Sequence, residues 1–91
     1  MNQFSRTEIL IGKDNIDKLA QSKVAVFGVG GVGSYVVEAL VRAGIGEITI
    51  IDADVIDETN INRQLLATID VVGQAKVDVL EKRILSINPA I

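Results

Sequence analysis

The residues of this chain whose types and spacing could do chemistry are a glycine cluster, an acid downstream of it, an amide-rich loop with one arginine, and a lysine. Gly28, Gly30, Gly31 and Gly33 form a GxGGxG run. Glycine lets backbone N–H groups close on an anion with no Cβ in the way, and it tolerates positive φ. Asp52 stands 19 residues beyond Gly33. A dinucleotide fingerprint places its ribose-binding acid about 20 residues after its glycines. The next stretch carries Asp54, Asp57 and Glu58, then Asn60, Asn62, Arg63 and Gln64. Arg63 offers a planar donor fork suited to phosphate, and Asn60 and Asn62 can hydrogen-bond phosphate or ribose. Lys76 lies in the first turn of a later helix, where the helix dipole disfavours a cation, so its placement hints at a facing anion. The chemistry these groups share is the holding of a nucleotide by its phosphates and ribose.

Each of these residues also has a plainer reading. The glycines could simply make a tight turn between a strand and a helix. Asn62 could cap a short helix through Leu66, leaving Arg63 a solvated charge, and the residues alone do not choose between that and a phosphate contact. Taken by itself, Lys76 reads better as a solvated lysine. What favours the nucleotide site is the order of the elements around the glycines.

Those elements are legible in the periodicity. Lys23–Phe27 is a short apolar run, and Val24–Phe27 reads as the first strand. Val32, Val36, Val37, Leu40 and Val41 recur at helical spacing, giving a helix over residues 31–43. Gly44 stands where a left-handed residue ends a helix. Glu47–Ile51 is the second β-rich run. Residues 68–73 connect to an amphipathic helix over 74–87 with Val77, Leu80, Ile84 and Ile87 toward the core. Glu38 with Arg42, and Asp78 with Lys82, have the spacing of surface ion pairs. Ahead of the first strand, residues 6–11 fit a helical turn with Ser5 as N-cap and Glu8 completing a capping box. Residues 14–20 fit a second helix with Ile16, Leu19 and Ala20 as its apolar face, and Lys13 and Lys18 in solvent. This segment, 1–22, reads as a helical cover on one edge of the sheet.

Composition sets the bounds. The chain has 91 residues, is 48% hydrophobic with 3% aromatics, and carries a net charge of −3. An Ile/Val/Leu/Ala core suits a parallel sheet buried on both faces. No basic run suggests non-specific nucleic-acid or membrane binding by this segment. With no cysteine and no histidine, the chain contains no disulfide, cysteine nucleophile, zinc–cysteine site or histidine base. No signal peptide or membrane span is visible, and a cytoplasmic location is the default. Two parallel strands rarely stand alone, and a third would be expected after Asn88-Pro89. The chain is therefore read as the N-terminal portion of a longer protein, or as a piece that borrows surface from a partner.

The runs VFGVGGVGS, ITIIDAD, TNINRQ, VGQAKV and INP, in that order, resemble the ThiF/MoeB/HesA family of ATP-dependent adenylating enzymes, relatives of the ubiquitin-activating enzymes. The resemblance covers Phe4 to Pro89. Within the family, RTEILIG, GVGSYVVEAL and TNINRQ look most like the tRNA threonylcarbamoyladenosine dehydratases. The resemblance implies an α/β fold: a Rossmann-like, doubly wound parallel sheet, here its N-terminal portion, βαβα preceded by short helices. Residues 23–91 would be the first part of an ATP-binding domain. It also implies ATP rather than NAD. Gly28, Gly30, Gly31 and Gly33 would cradle the nucleotide. Asp52 of the DxD pair would bind ribose, with Asp54 counted beside it. Asn60 and Arg63 would contact phosphates with Gln64 next to them, and Lys76 would reach the triphosphate. Arg6 would enter the neighbouring subunit's site in a homodimer.

The implied reaction is attack of a carboxylate on the α-phosphate of Mg-bound ATP, with Arg63, Lys76 and Arg6 stabilising the charge that develops. The carboxylate would be the threonylcarbamoyl group of a tRNA adenosine, which then cyclises. A sibling reading is the C-terminal glycine of a ubiquitin-like sulfur carrier. The family's magnesium-binding aspartate and the cysteine of many members would lie downstream of residue 91, so this segment should not turn over alone, and no metal ligand is assigned within it. An NAD-dependent oxidoreductase, or a non-catalytic nucleotide-binding or dimerisation module, are the competing readings. Arg63→Ala and Lys76→Ala should remove activity without harming the fold, both side chains being expected in solvent. Gly31→Val should block the nucleotide, and Glu38→Ala should do little.

Overall fold

The computed structural model describes all residues, Met1–Ile91. The chain runs α1 (Ser5–Ile11), α2 (Lys13–Ala20), β1 (Lys23–Phe27), α3 (Gly31–Ala43), β2 (Glu47–Ile51) and α4 (Lys76–Ile87), with short 3₁₀ turns at Glu58–Asn60 and Ile69–Val71. β1 and β2 are parallel, in the register Val24↔Ile48, Val26↔Ile50 and Phe27↔Ile51. α3 is the crossover that parallel strands require. Successive strand residues point to opposite faces, so Val26, Ile48 and Ile50 turn together toward the helices. They pack against a core of Val29, Val37, Val41, Ile56, Leu66, Ala67, Leu80 and Ile84. α3 contributes Val37 and Val41 and α4 contributes Leu80 and Ile84, so both helices lie on one face of the sheet. Each such side chain stabilises the fold by about 1.5–3 kcal/mol when fully buried.

The expectation of a sheet buried on both faces is corrected. Lys23, Ala25, Phe27, Glu47, Thr49 and Ile51 are exposed on the other face, Phe27 by 79%. Apolar composition alone cannot say which layer this stretch of chain supplies. Val32 and Val36 share the helical period of Val37 and Val41 but face outward, at 80% and 43% exposure. α4 begins at Lys76 rather than Gln74, because Val55 and Ala75 form an isolated antiparallel bridge that holds Ala75 extended.

The amino-terminal helices sit at the end of the sheet where the strands begin. Gly46 N–H donates to the Leu19 carbonyl and Glu47 N–H to the Ser22 carbonyl. Gly44 takes the left-handed C-cap position expected of it, with φ 99°, and the Phe4 ring lies against it. The Ser5 capping box does not form. Helix α1 already includes Ser5, and Ser5 Oγ accepts the Asn2 N–H instead. In α2, Ile16 and Leu19 are half-buried but Ala20 is exposed. Asp78 and Lys82 form no ion pair. Instead Arg83 Nε donates to the Glu38 carboxylate across the α3–α4 contact, while Arg42 stays 3.9 Å from the same group.

Candidate functional site

The glycine cluster occupies the turn from β1 into α3, and two of its members have no alternative. Gly28 sits at φ 85°, where an L side chain is strained. A Cβ on Gly33 would lie 1.7 Å from the Gly28 carbonyl oxygen, so only glycine lets the helix start this close to the strand end. Gly31 is different: a Cβ there would meet nothing within 4 Å, so this position opens outward. The N–H groups of Gly31, Val32 and Gly33 have no acceptor within the chain, and the first closed turn is Ser34 N–H to the Gly30 carbonyl. Ser34, which the sequence reading did not single out, is buried and its Oγ also donates to the Gly30 carbonyl at 2.5 Å. That contact holds the first turn closed while leaving the preceding donors free, with the positive end of the helix dipole behind them.

Asp52, at the tip of β2, ties the turn in place. Its Oδ2 accepts the Val29 N–H at 2.8 Å and its Oδ1 accepts the Asp54 N–H at 2.7 Å. These two backbone donors hold the Asp52 carboxyl below the usual carboxylate range, burial opposing and the Lys76 charge adding a smaller push downward. A ribose hydroxyl would find lone pairs remaining on each oxygen.

Beyond Asp54 the chain doubles back against the segment before α4. Ile56 N–H donates to the Gln74 carbonyl, Gly73 N–H to the Ile56 carbonyl, and Lys76 N–H to the Asp54 carbonyl. This ladder delivers Lys76 to the glycine turn: its Nζ lies 3.7 Å from where a Cβ on Gly30 would stand, with the Gln64 amide at 3.6 Å. Gly30, Gln64 and Lys76 therefore lie together. The expectation of an exposed Lys76 is corrected. Its side chain is only 7% exposed, and its nearest carboxylate, Asp54 Oδ2, is 4.0 Å away. The methylene stem is packed by the fold while the ammonium faces the turn.

Asn60 and Arg63 belong to a tightly hydrogen-bonded loop. Asp57 caps the 3₁₀ turn, accepting the Thr59 N–H and hydroxyl, and Asn60 Oδ1 accepts the Asp57 N–H in return. The Thr59 hydroxyl and N–H draw the Asp57 carboxyl below its ordinary range. The cap is thus Asp57, and Asn62 does not cap a helix. Its Oδ1 accepts from Arg63 Nη1, which also donates to the Thr59 carbonyl. Arg63 is exposed and held to its own loop. Arg6 is exposed on α1. Phe4, two residues earlier, packs at the amino-terminal end of the strands, so Arg6 is not brought into the group around Gly30. A concavity of about 580 Å³ lies elsewhere, between β2 and α4, lined by Ile48, Ile50, Val77 and Ile84 among others. Neither Lys76 nor any residue of the glycine turn lines it.

Set beside known proteins, the chain matches the ThiF family model over residues 4–91. It is 54% identical over 89 residues to the tRNA threonylcarbamoyladenosine dehydratase of Bacillus subtilis, covering 98% of this chain and 35% of that protein. It is 33% identical over 93 residues to the sulfur carrier protein adenylyltransferase of Thermus thermophilus, covering 100% of this chain and 34% of the relative. Among solved structures, the E. coli tRNA N6-threonylcarbamoyladenosine dehydratase TcdA in complex with ATP superposes with a TM-score of 0.94 at 46% identity, over 97% of this chain and 36% of that one. The chain spans about a third of the length of these relatives. The likeness bears out the Rossmann-like α/β fold read from the sequence.

Proposed function

Because the chain belongs to the ThiF family, we propose that the protein uses ATP to adenylate a carboxylate, and that this carboxylate is the threonylcarbamoyl group of a tRNA adenosine. The observation that carries the reading is the Lys76 ammonium facing Gly30 beside three unpaired N–H groups at the start of α3. That is a cation and a set of oriented donors where a polyphosphate would lie. The higher identity to the tRNA enzyme than to the sulfur-carrier enzyme favours the tRNA acceptor.

In this reading the glycine turn takes the phosphates, and Asp52 accepts from the ribose. The acceptor carboxylate attacks the α-phosphorus, and the bond to pyrophosphate breaks. Negative charge grows on the phosphate oxygens as it does so. Donors fixed before the reaction stabilise that charge without reorganising. Lys76 supplies one cation from within the fold. Arg63 supplies a second by exchanging the Thr59 carbonyl and Asn62 amide for phosphate. Arg6 of a second copy would supply a third. The carbamoyl group then attacks the activated carbonyl, closes a ring and expels AMP. Magnesium is a separate matter. No group of three or more His, Cys, Asp or Glu side chains converges in this chain, and no step here is routed through a magnesium ion.

The test is ATP–pyrophosphate exchange by the whole protein, with threonylcarbamoylated tRNA or a sulfur-carrier protein as acceptor. Exchange stimulated by the tRNA supports the reading. Stimulation by the carrier alone moves the acceptor assignment, and thermal stabilisation by NAD but not ATP rejects adenylation.

A further inference from the structure

Asp54 and Lys76 stand in a relation that nucleotide binding alone does not account for. The Lys76 side chain is 7% exposed, yet no hydrogen bond from its Nζ is present, and Asp54 Oδ2 at 4.0 Å is its one ion-pair partner. That separation is beyond hydrogen-bonding distance, so the two groups attract as charges and are not locked together. The Asp54 side chain is 76% exposed and can swing into solvent. Its backbone cannot follow. The Asp54 N–H donates to Asp52 Oδ1, and its carbonyl accepts the Lys76 N–H. One carboxylate is thus hinged on a fixed backbone, beside a cation that is buried and faces the glycine turn.

The geometry points to Asp54 as a resident counter-ion for Lys76: it neutralises the ammonium while the site is empty and yields it to the polyphosphate of the incoming nucleotide. The inference rests on the ATP-binding reading above and assigns Asp54 a role other than direct contact with nucleotide. A buried cation left without a partner is costly, and Asp54 limits that cost in the empty protein. The same carboxylate opposes binding, since it competes for Lys76 and repels the phosphates. Removing its charge should therefore tighten ATP binding, and the gain should scale with the charge of the ligand.

The experiment is isothermal titration of the whole protein with ATP, AMP and adenosine, for wild type, Asp54→Asn, Lys76→Met and the double variant. Asp54→Asn should lower the Kd for ATP by about fivefold, the scale of a partly exposed ion pair. It should lower that for AMP less and leave adenosine unchanged. Lys76→Met should weaken ATP binding and shrink the Asp54→Asn gain. A wild type that binds ATP normally, with an Asp54→Asn variant that binds ATP no better or worse, overturns the counter-ion role alone. An equal gain in the Lys76→Met background also overturns it, since Asp54 would then act on the phosphates without Lys76. A wild type that binds no ATP overturns the underlying reading as well.

Discussion

The Asp52 carboxylate accepts the Val29 N–H at 2.8 Å, so the acid at the tip of β2 is a clamp on the glycine turn as well as a candidate ribose ligand. Val29 is fully buried, and its N–H would lose its acceptor if Asp52 were truncated. Asp52→Ala should therefore cost stability even without nucleotide, by about 2 kcal/mol for hydrogen bonds to a charged group. Denaturant unfolding of the whole protein without ligand checks it. A variant as stable as wild type, defective only in ATP binding, would leave ribose contact as the sole role.

The same clamp sets a pH dependence. The folded-state pKa of Asp52 is lowered, first by the Asp54 N–H and then by the Val29 N–H. A depressed carboxylate contributes stability that is fully present above its unfolded pKa and is lost as pH falls through the folded one. Stability should thus be flat at neutral pH and fall from about pH 5 downward, where unfolded aspartate begins to bind protons. Asp57, lowered by Thr59, acts in the same direction. Asp52→Asn should flatten the acid limb of the stability curve. An unchanged acid limb would show that these hydrogen bonds do not distinguish the folded state.

Neighbouring glycines should separate fold from site. Gly33→Ala puts a Cβ 1.7 Å from the Gly28 carbonyl oxygen. Relief requires moving the strand end or the helix start, at about 3 kcal/mol or more. Gly31→Val meets no atom within 4 Å of its Cβ and should leave the fold intact while closing the approach of phosphate to the α3 N–H groups. Thermal melts with and without ATP distinguish them. Gly33→Ala should melt early in both conditions, and Gly31→Val should melt normally but gain nothing from ATP.

How much of this was legible in the sequence differs by residue. The strands, both long helices and the turn between β1 and α3 follow from local periodicity and glycine placement, and the structure has them within one or two residues. Long-range relations were not available. Taken by itself Lys76 reads as a solvated lysine, yet the ladder between residues 54–56 and 73–76 buries its stem. The Ser5 cap was read from a four-residue pattern, but Asn2 competes for the same hydroxyl. Asn60 was legible as a polar loop residue, whereas its pairing with Asp57 depends on a turn that helical and strand periods do not reveal. Val32 and Val36 fit the apolar period of α3 but face away from the core, since a period does not say how wide the covered stripe is.

Arg63 and Lys76 were paired in the sequence reading as cations to remove, but the structure separates them. Arg63 is exposed and bound only within its loop, so Arg63→Ala should change stability by less than about 0.5 kcal/mol. Its effect on pyrophosphate exchange should be large, about 10²-fold, the scale of losing one preorganised donor to a developing charge. Lys76→Ala would remove a packed stem as well as a charge, so Lys76→Met, which keeps the stem, is the cleaner variant. It should lose exchange to a similar extent while staying folded. Full exchange activity in either variant would remove that residue from the phosphate site.

Glu38 is where the sequence expectation and the structure part most clearly. Paired only with Arg42 on its own helix, it would be a dispensable surface charge. In the fold its side chain is 17% exposed and accepts Arg83 Nε from α4, which makes it a tie between the two helices that cover the core. Glu38→Ala should therefore destabilise the protein by about 1 kcal/mol. Arg83 is 39% exposed, and solvent screening keeps the pair near the upper end of surface values rather than those of buried pairs. A double-mutant cycle with Arg83→Met in denaturant unfolding isolates the coupling. A coupling indistinguishable from zero would mean that α3 and α4 are held by Val37, Val41, Leu80 and Ile84 alone. Nucleotide affinity should stay unchanged throughout the cycle, since neither residue reaches the glycine turn.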